Sequence, residues 1–216
     1  MIILLNGAAG SGKTHFGNIL RDEYSIPQIK SYTSKPKEES DHDDYIRQEK
    51  QPTLIEQTEI NGHLYGTPLS ETEKIYENRL VYKIVDKEGV DFFKEKFNAR
   101  AITFSLPLGV LVDRLENRGV SKEEAHQIII NEKETIEHPN PDLTIRKPLS
   151  GHYLFEIALG LFGFVYEGHK IKRIKKRFWD FSNYLKGSKC YSADQTFESW
   201  RKTIKTMSGE SDIWLE

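Results

Sequence analysis

The segment from Gly7 to Thr14 carries the residue types best suited to chemistry in this chain. It reads Gly-Ala-Ala-Gly-Ser-Gly-Lys-Thr and fits the pattern G-x-x-x-x-G-K-[ST] without a mismatch. Glycines let a backbone wrap around phosphate oxygens, so that successive N–H groups point toward the anion. A lysine adds a positive charge for the β- and γ-phosphates, and a threonine hydroxyl is a ligand for Mg²⁺. The pattern therefore predicts binding of ATP with Mg²⁺, with Lys13 and Thr14 in these two roles.

The elements on either side are those that a phosphate-binding loop requires. An apolar run, 1–5, predicts a buried parallel strand before the loop, and Phe16, Ile19 and Leu20 at helical spacing predict a helix after it. The alternative is a glycine-rich strand-to-helix turn that binds nothing, and this context disfavours it. The predicted ATP-binding residues are Gly7, Ala8, Ala9, Gly10, Ser11, Gly12, Lys13 and Thr14.

Apolar runs and helical patterns continue to alternate along the chain. Further strands are predicted at 80–85, 101–105 and 143–145, and a helix at 153–164, whereas the polar region 30–51 predicts mostly loop. Ser121 and Glu124 form a capping box, which marks the start of another helix. Strands that alternate with helices indicate an α/β fold with a largely parallel sheet.

Size and composition restrict the class of protein. The chain has 216 residues, enough for one α/β domain and a small appendage, and its formal net charge is −2. That charge gives no global attraction to nucleic acid or anionic membranes. Cys190 is the only cysteine, which excludes an intramolecular disulfide and disfavours a cysteine-based zinc site. No apolar stretch reaches the roughly 18 residues of a membrane span, so we expect a cytoplasmic protein without membrane contact.

Beyond the loop, a series of short motifs resembles the guanylate kinases in order and nearly in spacing, over residues 1–165. The motifs are Ser31-Tyr-Thr-Ser-Lys-Pro36, Asp44-Tyr45, Leu54-Ile-Glu56, Asn61-Gly-His-Leu-Tyr65-Gly66-Thr67, Asp86 with Gly89, and Asp113-Arg-Leu-Glu-Asn-Arg-Gly119. The resemblance implies a P-loop three-layer α/β sandwich with a mainly parallel sheet. It also implies the following regions: a core of 1–29 and 80–112, an inserted nucleoside-monophosphate-binding region of 30–79, and a lid of 113–141.

The resemblance implies a guanine nucleotide as phosphoryl acceptor. Ser31, Glu56 and Asp86 match residues that bind the base in that family, and Thr67 is expected near it. Guanine offers adjacent N–H donors at N1 and at the 2-amino group, so one carboxylate can accept from both. Adenine would instead point a lone pair at a buried Glu56 and leave it unpaired. The expected acceptor is therefore GMP or dGMP.

The residues expected around the phosphates depart in part from the family pattern. The resemblance implies that Tyr45 and Tyr65 hold the acceptor phosphate, and that Arg114 and Arg118 act with Lys13 in catalysis. Two arginines of the first acceptor motif are missing; Lys35 stands in for one and Lys37 partly for the other, without the planar fork of an arginine. Further departures are Ile84 in place of an acidic residue near magnesium, Ile129 near a third lid arginine, and Arg146 near an asparagine of the family.

Two other functions stay open at this point. One is a kinase for a different ribo- or deoxynucleoside monophosphate, which the missing arginines favour. The other is a non-catalytic guanylate-kinase-like binding module, which the complete phosphate loop disfavours. Residues 166–216 lie beyond the resemblance and predict a helical C-terminal extension, with six Lys or Arg between positions 170 and 177. A solvated helix packed on the domain explains this basic segment better than contact with nucleic acid.

Overall fold

Outside residues 31–68 and up to residue 161, strands alternate with single helices or helix pairs, as the apolar runs and helical patterns predict. The computed structural model describes residues 1–37, 45–60, 62–162, 164–167 and 170–173. The strands are β1 (Ile2–Gly7), β2 (Ser31–Thr33), β3 (Tyr45–Ile46), β4 (Leu54–Ile60), β5 (His63–Pro68), β6 (Val81–Ile84), β7 (Ala99–Phe104), β8 (Leu143–Ile145), β9 (Phe164–Glu167) and β10 (Lys170–Arg173). The helices are α1 (Lys13–Asp22), α2 (Glu73–Glu77), α3 (Lys87–Lys96), α4 (Leu108–Glu116), α5 (Lys122–Thr135) and α6 (Gly151–Leu161), and a 3₁₀ turn covers Leu69–Thr72.

The centre of the fold is a parallel four-stranded sheet in the order β6-β1-β7-β8. Apolar side chains leave β1 on both faces. Leu5 packs with Phe16 of α1 and Phe155 of α6, whereas Leu4 packs with Phe93 of α3 on the opposite face. Each such side chain contributes about 1.5–3 kcal/mol by leaving water. Helices therefore cover both faces of a parallel sheet, and the predicted α/β three-layer sandwich is confirmed.

A second sheet lies between α1 and β6 in the chain and has the order β3-β2-β5-β4. β4 and β5 form an antiparallel hairpin, β5 also pairs antiparallel with β2, and β2 pairs parallel with β3. Within the region 30–51, which is predicted to be mostly loop, the described residues include two short strands, β2 and β3. Their backbone groups are satisfied by partners far along the chain, and the local polar composition carries no trace of that pairing.

Helices α4 and α5 pack against each other beside the end of the phosphate-binding loop. Leu111 and Leu115 of α4 contact the same apolar cluster as Ala125 and Ile129 of α5. The Ser121 hydroxyl accepts a hydrogen bond from the Glu124 N–H at 3.3 Å, so the predicted capping-box start of α5 is confirmed. Ile129 is fully buried in this cluster, which explains why an apolar residue is required there.

The end of α5 is tied to the central sheet through Asn6, which is completely buried. The Asn6 Nδ2 donates to the Val85 and Ile136 carbonyl oxygens at 2.9 and 2.7 Å. The Asn6 Oδ1 accepts from the His138 N–H at 2.8 Å and from the Thr103 hydroxyl at 3.1 Å. One amide thus connects the end of β1 with the segment that follows α5.

The chain beyond residue 162 departs from the expected helix where the structure describes it. β9 and β10 pair antiparallel, with Phe164 opposite Arg173. The run Phe164-Val165-Tyr166 is rich in aromatic and β-branched residues, which favour a strand and account for the difference. The helix predicted over 153–164 spans Gly151–Leu161 instead. The rest of the predicted extension, 174–216, lies outside the described residues. Within those described, no helix is long and apolar enough to cross a bilayer.

Candidate active site

The loop between β1 and α1 has the geometry that its glycines require. Gly12 precedes α1 with φ +101°, in the left-handed region that residues other than glycine rarely adopt. A Cβ added to Gly7 would lie 2.6 Å from the Phe104 carbonyl oxygen, so no larger residue fits against β7. The Ser11 N–H donates to the Ala8 carbonyl oxygen at 3.2 Å and tightens the turn. The loop therefore begins at the carboxyl edge of the sheet, where ligands bind in open α/β folds.

Lys13 and Thr14 begin the helix that follows. The Lys13 Nζ donates to the Ala8 carbonyl oxygen at 3.1 Å, so the side chain folds back over the loop. Burial lowers the pKa of the Lys13 ammonium, and the nearby charge of Glu132 opposes this effect. Thr14 lies half-buried in the first turn of α1. Both positions suit the roles that the motif predicts.

A carboxylate that the sequence did not single out also reaches the loop. Glu132 lies on α5, and its Oε2 accepts a hydrogen bond from the Ala9 backbone N–H. This N–H belongs to the set that a bound phosphate would use. The loop thus has an internal carboxylate at one of its N–H groups. Nothing in the polar pattern of α5 distinguishes Glu132 from its acidic neighbours, so only the packing of α5 reveals this contact.

A cavity of about 300 Å³ opens between the loop and the second sheet. It brings together six of the seven residues predicted to bind the acceptor nucleotide, and Lys13 lines the same space. These six are Ser31, Lys35, Tyr45, Glu56, Tyr65 and Asp86. The seventh, Thr67, is buried next to the cavity, and its hydroxyl donates to Glu56 Oε1. Residues separated by more than 70 positions therefore meet in one space.

The floor of this cavity concentrates charge. Asp86 caps α3 by accepting from the Gly89 N–H at 2.7 Å; burial raises the pKa of its carboxyl, and that hydrogen bond opposes the rise. Lys83 of β6 is only 1% exposed, and its Nζ donates to the Ser31 Oγ at 2.7 Å. Burial lowers the pKa of Lys83 to about 8, and the charges of Glu56, Glu71 and Asp86 act in the opposite direction. Sequence reasoning missed Lys83, although a lysine inside an apolar strand pattern is itself a signal.

Aromatic and basic side chains form the outer wall. The rings of Tyr45 and Tyr65 meet edge to face with their centroids 5.8 Å apart. The Arg47 Cζ lies 5.4 Å from the centroid of the Tyr45 ring, and its Nε donates to the Lys35 carbonyl oxygen at 3.0 Å. Arg47 was also missed; it is not among the residues that line the cavity, but its guanidinium contacts the backbone of Lys35, which is.

A second cavity, of about 420 Å³, lies on the other side of the loop. Gly10 and Gly12 form one wall, and Arg114, Arg118 and the segment after β8 form the others. The Arg114 Nη1 donates to the Gly10 carbonyl oxygen at 2.8 Å, which fixes this arginine against the loop. The two arginines predicted to be catalytic therefore lie at the loop.

The residues that depart from the family pattern lie in different parts of the structure. Ile84 lines the first cavity, whereas Ile129 lies in the core between α4 and α5, away from both cavities. Arg146 is exposed and lines neither cavity, while its neighbour Lys147 lines the second. Two positions named in the sequence motifs, Asp44 and Asn61, lie outside the described residues.

The oxygen donors near the loop fit Mg²⁺. In the described part of the chain, no three His, Cys, Asp or Glu side chains are grouped so that they could hold a metal ion. Mg²⁺ bound with ATP keeps several waters and takes one or two protein oxygens beside the phosphates. The Thr14 hydroxyl, in the first turn of α1 beside the loop, is such a donor. A site shared with the nucleotide therefore fits these residues better than a separate metal centre.

Known proteins resemble this chain in sequence and in fold. No family model matches it. It is 25% identical over 154 residues to a guanylate kinase of Agrobacterium fabrum, a match that covers 64% of this chain and 70% of that protein. It is 29% identical over 142 residues to a guanylate kinase of Bacillus cereus, covering 57% of this chain and 68% of that protein.

Among solved structures, the guanylate kinase from Anaplasma phagocytophilum shares the fold with a TM-score of 0.51 at 15% identity, covering 87% of this chain and 94% of that one. The fold comparison agrees with the sequence matches. Together with the ordered motifs, these similarities support this chain as a divergent member of the guanylate kinase family.

Proposed function

We propose that this protein transfers the γ-phosphoryl group of ATP to the 5′-phosphate of GMP or dGMP. One observation carries the proposal: Lys13 of the phosphate-binding loop lines the same cavity as the residues predicted to bind the acceptor base. A phosphoryl donor held by the loop and an acceptor in this cavity would meet at Lys13. The named relatives, which are guanylate kinases, support the same reaction class.

In this proposal the donor nucleotide occupies the second cavity and the loop. Its triphosphate replaces the Glu132 carboxylate at the loop amides beside Arg114 and Arg118, and its nucleoside lies farther along the second cavity, toward Lys147. The Thr14 hydroxyl would hold the Mg²⁺ of the ATP complex, which would neutralise charge on the β- and γ-phosphates. The backbone N–H groups of the loop, Gly7 to Thr14, donate hydrogen bonds to the phosphate oxygens and so hold the phosphates in place.

The acceptor nucleotide occupies the first cavity. Glu56, which accepts a hydrogen bond from Thr67, accepts from guanine N1–H and the 2-amino group, with Ser31 and Asp86 beside the base. The acceptor phosphate lies against Tyr45 and Tyr65, with Lys35 for its charge. Arg47, next to Lys35, supplies the guanidinium that the first acceptor motif lacks.

Catalysis then consists of positioning and charge neutralisation. The ionised acceptor phosphate is itself the nucleophile, so no covalent intermediate with the protein is needed. Its oxygen attacks the γ-phosphorus in line with the leaving β-phosphate oxygen, and Lys13, Arg114 and Arg118 stabilise the charge that develops. In this scheme residues 30–79 form the acceptor region, and residues 113–141 form a lid that excludes water.

A kinase for another nucleoside monophosphate is the second candidate, because the acceptor clamp lacks two arginines of the family pattern. A coupled assay of ADP release, with ATP and Mg²⁺, tests both candidates against a panel of ribo- and deoxynucleoside monophosphates. We expect GMP or dGMP to be turned over fastest. Fastest turnover of another base would favour the second candidate, and no turnover of any member would contradict both.

Two variants make this test specific. We expect K13A to lower kcat by about a thousandfold or more, because it removes the positive charge beside the transferred group. We expect E56A to lower kcat/KM for GMP about 100-fold and to leave the KM for ATP unchanged, because Glu56 lies on the acceptor side of the loop. Unchanged GMP kinetics in E56A would refute the role of Glu56 in base recognition.

A further inference from the structure

Lys83 reaches the acceptor cavity through an apolar layer. It lies on β6 opposite Leu4 of β1, and its ammonium nitrogen is 5.7 Å from the centroid of the Phe93 ring. The stem of the side chain is therefore packed between the sheet and α3, while the head emerges at the cavity floor. There the Nζ donates to the Ser31 Oγ at 2.7 Å.

This hydrogen bond has a fixed direction. An ammonium group has three donors and no acceptor, whereas a hydroxyl has one proton and two lone pairs. The Ser31 oxygen must therefore accept from Lys83, and its own proton has to be offered elsewhere. Ser31 lines the cavity, so an acceptor on a bound base is a partner for that proton.

We propose that Lys83 is a positioning residue for base selection: it holds the Ser31 hydroxyl as a donor toward the acceptor nucleotide and thereby selects 6-oxopurines. The inference rests on the proposed function and deepens it. Ser31 as donor and Glu56 as acceptor match O6, N1–H and the 2-amino group of guanine. Adenine presents an amino donor at C6 and a lone pair at N1, so the Ser31 donor would face a donor and the Glu56 acceptor would face an acceptor.

A simpler role for Lys83 makes a different prediction. If the ammonium only balanced the charges of Glu56, Glu71 and Asp86, its loss would weaken acceptor binding independently of Ser31, and the effects of K83M and S31A would add. If Lys83 orients Ser31, the loss of either side chain removes the same contact to a 6-oxopurine. The comparison of the single variants with the double variant therefore separates the two roles.

The experiment measures kcat/KM for GMP and AMP, with ATP and Mg²⁺, in wild type, K83M, S31A and the double variant. We expect K83M to lower the value for GMP about 10- to 100-fold, since a hydrogen bond in a charged network is lost, and to change the value for AMP less than about threefold. We expect S31A to behave alike and the double variant to be no worse than either single variant, because Lys83 acts through Ser31. The exposed Lys96→Met, on the neighbouring α3, is the matched control.

Each outcome of this experiment supports or contradicts the role proposed for Lys83. An unchanged GMP-to-AMP ratio in K83M, or additive losses in the double variant, would overturn the inference and leave the proposed function intact. A wild type that turns over no nucleoside monophosphate, or that prefers AMP, would overturn both. If K83M does not fold, K83Q replaces it with the same expectation, because an amide can accept as well as donate and no longer fixes the direction of the Ser31 proton.

Discussion

Replacing Lys83 by methionine should change how the stability of the protein depends on pH. The side chain is buried, and its pKa in the folded protein is about 8, compared with an ordinary value of 10.5. Each pKa unit corresponds to about 1.36 kcal/mol, so the charged ammonium opposes folding by ~3 kcal/mol. Methionine has a similar shape and carries no proton, so this contribution disappears in K83M.

The sign follows from the protons bound in each state. Between pH 8 and 10.5 the unfolded chain keeps the Lys83 proton, while the folded protein has lost it. The contribution of Lys83 to the free energy of unfolding therefore rises by about 3 kcal/mol over this range and is constant below it. The difference in unfolding free energy, K83M minus wild type, should fall by the same amount between these pH values. A constant offset from the lost contact with Ser31 does not affect that change.

Urea unfolding followed by far-UV circular dichroism at several pH values between 7 and 10.5 gives both free energies by linear extrapolation. Ionisable groups that both proteins share cancel in the difference. K96M, which replaces an exposed lysine of α3, should run parallel to wild type. Parallel curves for K83M and wild type would show that Lys83 is not held as a destabilised cation, and would refute the reasoning.

Two further variants test the loop. E132Q should bind ATP roughly three- to tenfold more tightly in calorimetry, because it removes a charge that competes with phosphate at the Ala9 N–H and repels it. E134Q, on an exposed position of the same helix, is the control. Equal ATP affinities for E132Q and wild type would refute this competition. G7A should lower the free energy of unfolding by at least about 2 kcal/mol, since its Cβ would lie 2.6 Å from the Phe104 carbonyl oxygen and the φ of Gly7 is +143°. The control G109A, on α4 with open space around it, should leave the free energy of unfolding unchanged or raise it slightly. An unchanged free energy of unfolding in G7A would contradict the fit described for the loop.

The parts of the fold that could be predicted from the sequence are those encoded locally. The phosphate-binding loop is a contiguous motif, and its neighbours β1 and α1 follow from a short apolar run and a helical pattern. β8 spans Leu143–Ile145, and α5 begins after Ser121, both as predicted. In each case the residues that determine the element lie within it or next to it.

The parts that could not be predicted depend on where distant elements meet. Lys83 contacts Ser31 only because β6 and β2 approach each other at the cavity floor, 52 positions apart in the chain. Glu132 contacts Ala9 from 123 positions away, and its helix carries several equivalent carboxylates. The acceptor residues were predicted through a family resemblance, and the structure brings them together. Their individual roles stay predictions until the variants are measured.

The Asn6 amide restricts how α5 can move relative to the central sheet. All four of its hydrogen-bonding positions are used: two donors hold Val85 and Ile136, and two lone pairs hold His138 and Thr103. The C-terminal end of α5 is thus a fixed pivot, and sliding it would break several buried bonds at once. A swing of α5 about this end would displace the far turn that joins α4 to α5 most and Glu132, one helical turn from the pivot, little, so rotation of its own side chain is the shortest way for the Glu132 carboxylate to leave the loop amides.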